Sequence, residues 1–224
     1  MIRWELLDTA LMPGNGGALK LMRRGFEYSI MSGSIELMNS RMSGSEQALA
    51  TLAAERLKGR SEPSVLIGGL GMGFTLRAAL AAFPAGARIE VAEVVPQVVA
   101  WARGPLAELY AGSLDDPRLT IHEGDVVDPI RTGPGRYDAI LLDVDNGPGG
   151  LSRADNDRLY DPRGLAAAAA ALRPGGVLAV WSSMPSAEFT RALHRAGYKA
   201  EEVKVHAHGM KGARHIIWMA TRPA

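Results

Sequence analysis

The run AILLDVDNGPGG (139–150) is apolar and then ends on Asp143, Asp145 and Asn146. A buried strand that stops on acids delivers them where a sheet meets solvent, the place at which open α/β sheets bind ligands. A carboxylate beside a bound electrophile orients or deprotonates an incoming nucleophile. Asp143 and Asp145 are therefore the catalytic candidates, with Asn146 beside them as a substrate contact. Asp143 taken alone also suits a helix cap or a turn.

Three further features fall at strand ends upstream. In VLIGGLGMGFTLRAAL, Gly69, Gly71 and Gly73 alternate between an apolar strand and a helix. Glycines there let the chain turn sharply and let a ligand approach where a Cβ would intrude, and a helix N-terminus behind them favours hydrogen-bond-accepting groups. The spacing is G-x-G-x-G rather than the dinucleotide G-x-G-x-x-G, and a tight structural turn would also use it. Glu93 closes RIEVAE, where a strand-end acid accepts hydrogen bonds from ribose hydroxyls or simply faces solvent. Asp125, in IHEGDVVD, can accept from an exocyclic amine or serve as an ordinary turn residue. Together these describe a nucleoside site, with Gly69, Gly71, Gly73, Glu93, Val94, Gly124, Asp125 and Val126 around it.

The elements that must position these groups repeat a strand–turn–helix rhythm from residue 63. SVLI, RIEVAE, RLTIHE, YDAILLD and PGGVLAVW read as buried strands. TLRAALAAF, PQVVAWARGPLAELY, GLAAAAAAL and SAEFTRALHRAG read as helices. KAEEVKVHAHG and ARHIIWMATR close the chain as a hairpin, so the last strand is antiparallel. The pattern predicts an α/β fold with a mostly parallel seven-stranded sheet over 43–224. Residues 1–42, with GALKLM, FEYSIM and SIELMN between turn signals, predict a small hairpin or three-stranded β unit. Ser43 and Glu46 have the spacing of a capping box, opening a helix that Gly59 stops.

Composition narrows the function classes. The 224 residues suit one domain with a small appendage, and a net charge of +1 offers no basic surface for a nucleic acid. With no cysteine there is no disulfide, thiolate nucleophile or Cys-based zinc site. The N-terminus has no uninterrupted apolar stretch of the kind a signal peptide needs, and no run approaches a membrane span. A cytoplasmic protein with a small-molecule partner, no nucleic acid and no membrane is expected. His206, His208 and His215 flank the closing turn; lacking an acid or thiolate to complete a ligand set, they read as hairpin decoration, and no metal is expected. Trp181 ends the fifth strand on the same edge and suits a substrate wall or core packing. Tyr160 ends GPGGLSRADNDRLY (147–160), a candidate lid.

With these motifs on the page, the sequence resembles the spermidine synthase (aminopropyltransferase) family within the class I S-adenosylmethionine-dependent methyltransferase superfamily. GLGMGFTLR (69–77) matches that family's glycine alternation and T-L-R, Glu93 its ribose acid, Gly124–Asp125 its adenine pair, and YDAILLDVDNGPG its Y-D-x-I-hydrophobic-D-x-x-D-P-x-G-P segment. The resemblance implies a Rossmann-like fold, S-adenosylmethionine or its decarboxylated form as cofactor, a β unit over the site and a homodimer. Several family acids are replaced. The glycine-loop aspartate that holds the aminopropyl amino group falls on Met72, and the second acid of D-x-x-D falls on Asn146. A Tyr-His-Glu run falls on Glu46, Gln47 and Ala48, of which Glu46 and Gln47 remain substrate candidates.

An ammonium taken out of water without a carboxylate partner costs several kcal/mol, so a polyamine site should be rich in acids. On this ground the expectation is methyl transfer to a small-molecule nucleophile by in-line displacement. Aminopropyl transfer is the alternative, and a non-catalytic nucleoside-binding regulator the third reading.

Overall fold

The computed structural model describes residues 2–14, 17–144, 147–148, 157–208 and 211–223. Its strands are β1 (Glu5–Leu11), β2 (Ala18–Arg24), β3 (Glu27–Ser32), β4 (Ile35–Asn39), β5 (Ser64–Gly68), β6 (Arg88–Glu93), β7 (Leu119–Glu123), β8 (Tyr137–Leu142), β9 (Leu172–Ser182), β10 (Lys199–His208) and β11 (Lys211–Thr221). Its helices are α1 (Gly44–Arg56), α2 (Phe74–Ala82), α3 (Pro96–Arg103), α4 (Ala107–Tyr110), α5 (Val127–Thr132), α6 (Asp157–Tyr160), α7 (Pro162–Ala171) and α8 (Ala187–Arg195).

β5 to β11 form one seven-stranded sheet in the order β10-β11-β9-β8-β5-β6-β7, with β11 antiparallel to both neighbours and the rest parallel. This is the Rossmann-like arrangement of the class I methyltransferase fold. The order reverses at β5: β6 and β7 extend to one side, β8 and β9 to the other. The gap between the carboxyl ends of β5 and β8 is thus the topological switch point.

Strand parity assigns the two faces of the core. Val65, Ile67, Ala139 and Leu141 pack into a cluster with α1, α2 and α3, while Leu66, Ile140 and Leu142 pack into a second cluster with α5, α7 and α8. Strands buried on both faces need apolar residues at every position, which is why SVLIG and YDAILL read as continuous runs rather than alternations. Each fully buried aliphatic side chain contributes about 1.5–3 kcal/mol relative to exposure.

The N-terminal strands make a separate four-stranded antiparallel sheet in the order β1-β2-β3-β4, one strand more than the sequence suggested. The unforeseen strand, β1, is an edge with a register break between Leu6 and Asp8, and its exposure follows no clean alternation. Its neighbour β2 sends Leu19 and Leu21 into the α1–α3 core, as β3 does Ile30. Asp8 adds a polar tie, accepting from Trp101 Nε1 (2.7 Å) and Gln97 Nε2 (2.6 Å) on α3.

Three local expectations are corrected. The helix expected over 96–110 breaks into α3 and α4 at Gly104–Pro105, because proline supplies no N–H and its ring crowds the preceding turn. The capping box does not close: Ser43 caps no backbone N–H, and its Oγ instead accepts from Gln47 Nε2 at 2.9 Å. Short α5, with Pro129 in its first turn, carried too little periodicity to be foreseen.

At the amino end of β8, opposite the switch point, Asp138 is almost fully buried. It accepts from the Ser64 backbone N–H (2.7 Å) and pairs with Arg173 Nη1 (2.6 Å) and with Arg60. Asp138→Ala would orphan the Ser64 amide and leave two guanidiniums facing each other. Urea denaturation of that variant is expected to show a loss of about 1–3 kcal/mol.

Candidate active site

Three parallel strands end in register. Gly68 pairs with Ala92 on one side and with Leu142 on the other, so the next residues, Gly69, Glu93 and Asp143, leave the sheet side by side. The ladder runs one bond further at each exit: Gly69 N donates to Ala92 O (2.9 Å), Asp143 N to Gly68 O (3.0 Å) and Gly124 N to Glu93 O (2.9 Å). Four strand ends are thereby locked around one cleft of about 170 Å³.

The glycine loop forms the floor. Gly69, Gly71 and Gly73 all have positive φ, and a Cβ on Gly69 would lie 2.5 Å from the Asp143 carbonyl oxygen. Four of the five amides over residues 69–73 are engaged within the protein. Besides Gly69 N, Leu70 N donates to Glu93 Oε2 (2.9 Å), Met72 N to Met38 Sδ (3.1 Å) and Gly73 N to Leu70 O (2.8 Å). The other Glu93 oxygen, Oε1, accepts from Val95 N (2.9 Å), so this buried acid ties the loop to the start of α3. Burial pushes its carboxyl above the usual range, against those amides, which lower it.

Asp125 faces the cleft across from the loop. Its Oδ1 accepts from Val127 N (2.9 Å) in the turn that leads into α5, and its Oδ2 is paired with Arg158 of α6. It is at once the turn residue and the cleft residue that the sequence left open.

Asp143 and Glu46 face the same space. Asp143 Oδ2 accepts from Thr75 Oγ1 (2.6 Å), and Glu46 Oε2 from Ser45 Oγ (2.6 Å). Burial, then the neighbouring Glu46 charge, push the Asp143 carboxyl up to about 7; burial raises Glu46 as well. Two like charges in one poorly solvated space resist joint ionisation, so the pair holds a proton near neutral pH. A base poised there is matched to proton transfer at physiological pH.

The roof comes from the N-terminal sheet. Met12, Leu19, Ile30, Leu37 and Met38 line the cleft, with Trp181 as a side wall. Met38 lies over Gly71, where a Cβ would come within 2.6 Å of its Cε.

Of the residues expected at the site, Gly69, Gly71, Glu93, Val94, Gly124, Asp125, Val126, Asp143, Glu46 and Trp181 line this cleft. Three do not. Gly73 sits behind it as the left-handed cap of α2, against the Tyr110 ring. Gln47 points the other way, to an exposed hollow with Phe74 and Arg77, because helical spacing puts neighbouring residues about 100° apart. Tyr160 is buried edge-on to Phe189 in the second core cluster, 5.5 Å between ring centres. Asp145, Asn146 and most of the expected lid lie outside the described residues. Thr75, Ser45 and Met38 were missed, and His215 was read only as decoration of the closing hairpin. Thr75 stands in the T-L-R run already noted; the others are brought in by tertiary packing alone. Among the described residues no cluster of three His, Asp or Glu side chains suits a metal ion, and no helix is long and apolar enough to cross a membrane.

No family model matches the chain. It is 32% identical over 157 residues to the polyamine aminopropyltransferase of Mycobacterium tuberculosis, a match covering 64% of this chain and 28% of that protein. The chain thus spans under a third of the length of the curated relative it matches. Among solved structures it superposes on spermidine synthase from Thermotoga maritima with a TM-score of 0.75 at 17% identity, over 97% of this chain and 72% of that one. A spermidine synthase in complex with the transition state analogue AdoDATO gives a TM-score of 0.74 at the same identity and coverage.

The acid pair has a consequence for stability. Asp143 has its carboxyl raised above the unfolded value of 3.8 to about 7, so between those pH values the folded chain holds a proton that the unfolded chain has released. Stability should therefore fall as pH rises from about 4 to about 7. Asp143→Asn should be more stable than the parent at pH 8 by about 2 kcal/mol, less than full linkage because Glu46 shares the proton. The difference should vanish near pH 4 in denaturant titrations.

Proposed function

The chain belongs to the spermidine synthase-like family with the class I S-adenosylmethionine-dependent methyltransferase fold, and from that premise we propose that it transfers an aminopropyl group from decarboxylated S-adenosylmethionine to an amine. The observation that carries this reading is the charge of the cleft. Its ionisable lining groups, among the described residues, are Glu46, Glu93, Asp125 and Asp143, all acids, and of these only Asp125 is answered by a cation, Arg158. S-adenosylmethionine carries an α-carboxylate that its decarboxylated form lacks. Bringing that carboxylate within about 5 Å of one ionised acid costs about 3 kcal/mol at an effective dielectric of 20.

The glycine loop offers no relief. A carboxylate is ordinarily cradled there by backbone N–H groups, but the amides of Gly69, Leu70, Met72 and Gly73 already have partners in Ala92, Glu93, Met38 and Leu70. A donor whose tail carries only positive charge suits this cleft. Glu93 is the acid for the ribose hydroxyls. Asp125 is the one for the adenine edge, with Val94 and Val126 as apolar neighbours.

In the proposed step the acceptor nitrogen attacks the propyl carbon bonded to the sulfonium. The N–C bond forms, the C–S bond breaks, and its electron pair goes to sulfur, which departs as the neutral thioether of methylthioadenosine. Asp143 takes the acceptor ammonium's proton beforehand, which frees the lone pair that attacks, and the product leaves as the protonated, alkylated amine. The sulfonium is already a good leaving group, so the protein's share is to hold the amine in line, remove water from it and accept the proton. Glu46 partners the amine's charge. Asp145 and Asn146, adjacent in sequence, are proposed to contact the acceptor.

Methyl transfer is the second reading, and Met72 favours it. The side chain at the position matching the family's aminopropyl-binding aspartate is fully buried in the core, so nothing ionic stands there.

Calorimetry with both donor forms, followed by mass analysis of products from a panel of amines, separates the two. The decarboxylated donor should bind at least about tenfold tighter, a difference of about 1.4 kcal/mol, and aminopropylated amine should accumulate. Asp143→Asn should lower kcat by about 10²- to 10⁴-fold. Tighter binding of S-adenosylmethionine with methylated product would overturn the proposal.

A further inference from the structure

The proposed reaction assigns no role to the hairpin histidines, yet one of them is wired to the acid pair. Ser45 is fully buried at the start of α1. Its Oγ lies 2.6 Å from Glu46 Oε2 and 2.8 Å from His215 Nδ1. A hydroxyl has one proton, and an ionised carboxylate only accepts. Ser45 therefore donates to Glu46 and accepts from His215 Nδ1–H, which fixes the imidazole tautomer. The ring is held edge-on by Trp181, 4.8 Å between centres at 71°, and stands across from Val205 on β10.

Among the described residues, little else charged faces it. On α1 the group beyond Ser45 is Glu46. On β9 the contact is Trp181, which does not titrate. On β10, Lys204 and His206 flank Val205, and alternation turns them toward the other face. On its own strand the neighbour Arg214 is exposed. Burial lowers the affinity of His215 for a second proton, so the neutral, Nδ1-protonated ring is the working form.

The donors on the two acids are closely balanced. Asp143 has the Thr75 hydroxyl, but that hydroxyl also lies 3.3 Å from the Glu46 carbonyl oxygen. Glu46 has the Ser45 hydroxyl, polarised from behind by the imidazole N–H, and chained hydrogen bonds reinforce one another. When two carboxyls share one proton, the better solvated anion keeps the charge.

We propose that His215 is a positioning residue for the acid pair: through Ser45 it keeps the negative charge on Glu46, and so leaves Asp143 as the group that exchanges the acceptor's proton. This rests on the amine-acceptor reading above for its purpose, but not for its test. It assigns Glu46 the fixed charge that holds an ammonium and Asp143 the variable one that takes its proton.

The test is a carbon-detected NMR titration of the Asp143 and Glu46 carboxyl carbons in the full chain. Parent protein, Ser45→Ala, His215→Leu and His215→Asn are compared. In the parent, Asp143 should take up its proton near pH 7 while Glu46 stays ionised to lower pH. In Ser45→Ala and His215→Leu the proton should pass toward Glu46, and the Asp143 midpoint should fall by about one unit, the scale of one hydrogen bond to a charged group.

His215→Asn, whose side-chain N–H can reach Ser45 much as Nδ1 does, should restore the parent midpoint. The acid limb of kcat/KM should move in step. A merely structural histidine would lower activity in His215→Leu without moving either midpoint, and an unmoved Asp143 midpoint in Ser45→Ala and His215→Leu overturns the proposal. Should His215→Leu fail to fold, Ser45→Ala reads the same bond with a smaller change. If no amine is ever a substrate, the reaction reading fails while the titration still decides the role of His215.

Discussion

The arrangement of the cleft depends on one constraint, the register of three parallel strands. With Gly68, Ala92 and Leu142 in a row across β6, β5 and β8, the residues that follow must surface together. A slip of one residue would turn each side-chain set to the opposite face. It would drive Glu93 into the core and replace Asp143 by an aliphatic group at the edge. The apolar residues of β5 and β8 forbid that slip, because both faces of those strands are already filled. The cleft's chemistry is thus held by residues that carry none.

Met38 and Glu93 extend that control to the parts that do not belong to the sheet. Glu93 gathers amides from the glycine loop and from the start of α3. Met38, arriving from the N-terminal sheet, takes the Met72 amide and fills the space that Gly71 leaves by lacking a side chain. The roof therefore contacts the floor directly, and the two sheets share one apolar core. A methionine in this position is soft enough to move aside for a ligand, whereas a β-branched residue would hold its place.

Most of this could be read from the chain because parallel strands announce themselves twice, as apolar runs and as the turn residues that end them. Glu93, Asp125 and Asp143 could be singled out because each lies at or just past the end of such a run, and all three line the cleft. Gly73, Gln47 and Tyr160 lie away from it for reasons of local direction. Gly73 is needed for its left-handed cap and for the Tyr110 ring behind it. Gln47 is one residue around a helix from Glu46. Tyr160 ends the candidate lid in sequence but is drawn into the second core cluster beside Phe189. The tie from His215 to Ser45 joins residues 170 apart in sequence, and no periodicity or motif reports a contact of that separation. β1 escaped notice because an edge strand with an irregular register has no need to alternate.

β8 offers an internal control for which acids are structural. It carries Asp138 near one end and is followed by Asp143 at the other, and the chain treats them in opposite ways. Asp138 is almost fully buried, but two guanidiniums and a backbone amide answer its charge. Asp143, half-buried, is answered by one hydroxyl and opposed by a second acid. Had stability alone chosen the residues, the arginines at the first end show the remedy that was within reach at the other. Unrelieved repulsion between carboxyls in a cleft is the kind of local cost that folds carry at working sites rather than elsewhere. A cation placed between the two carboxyls would lower the energy of both at once.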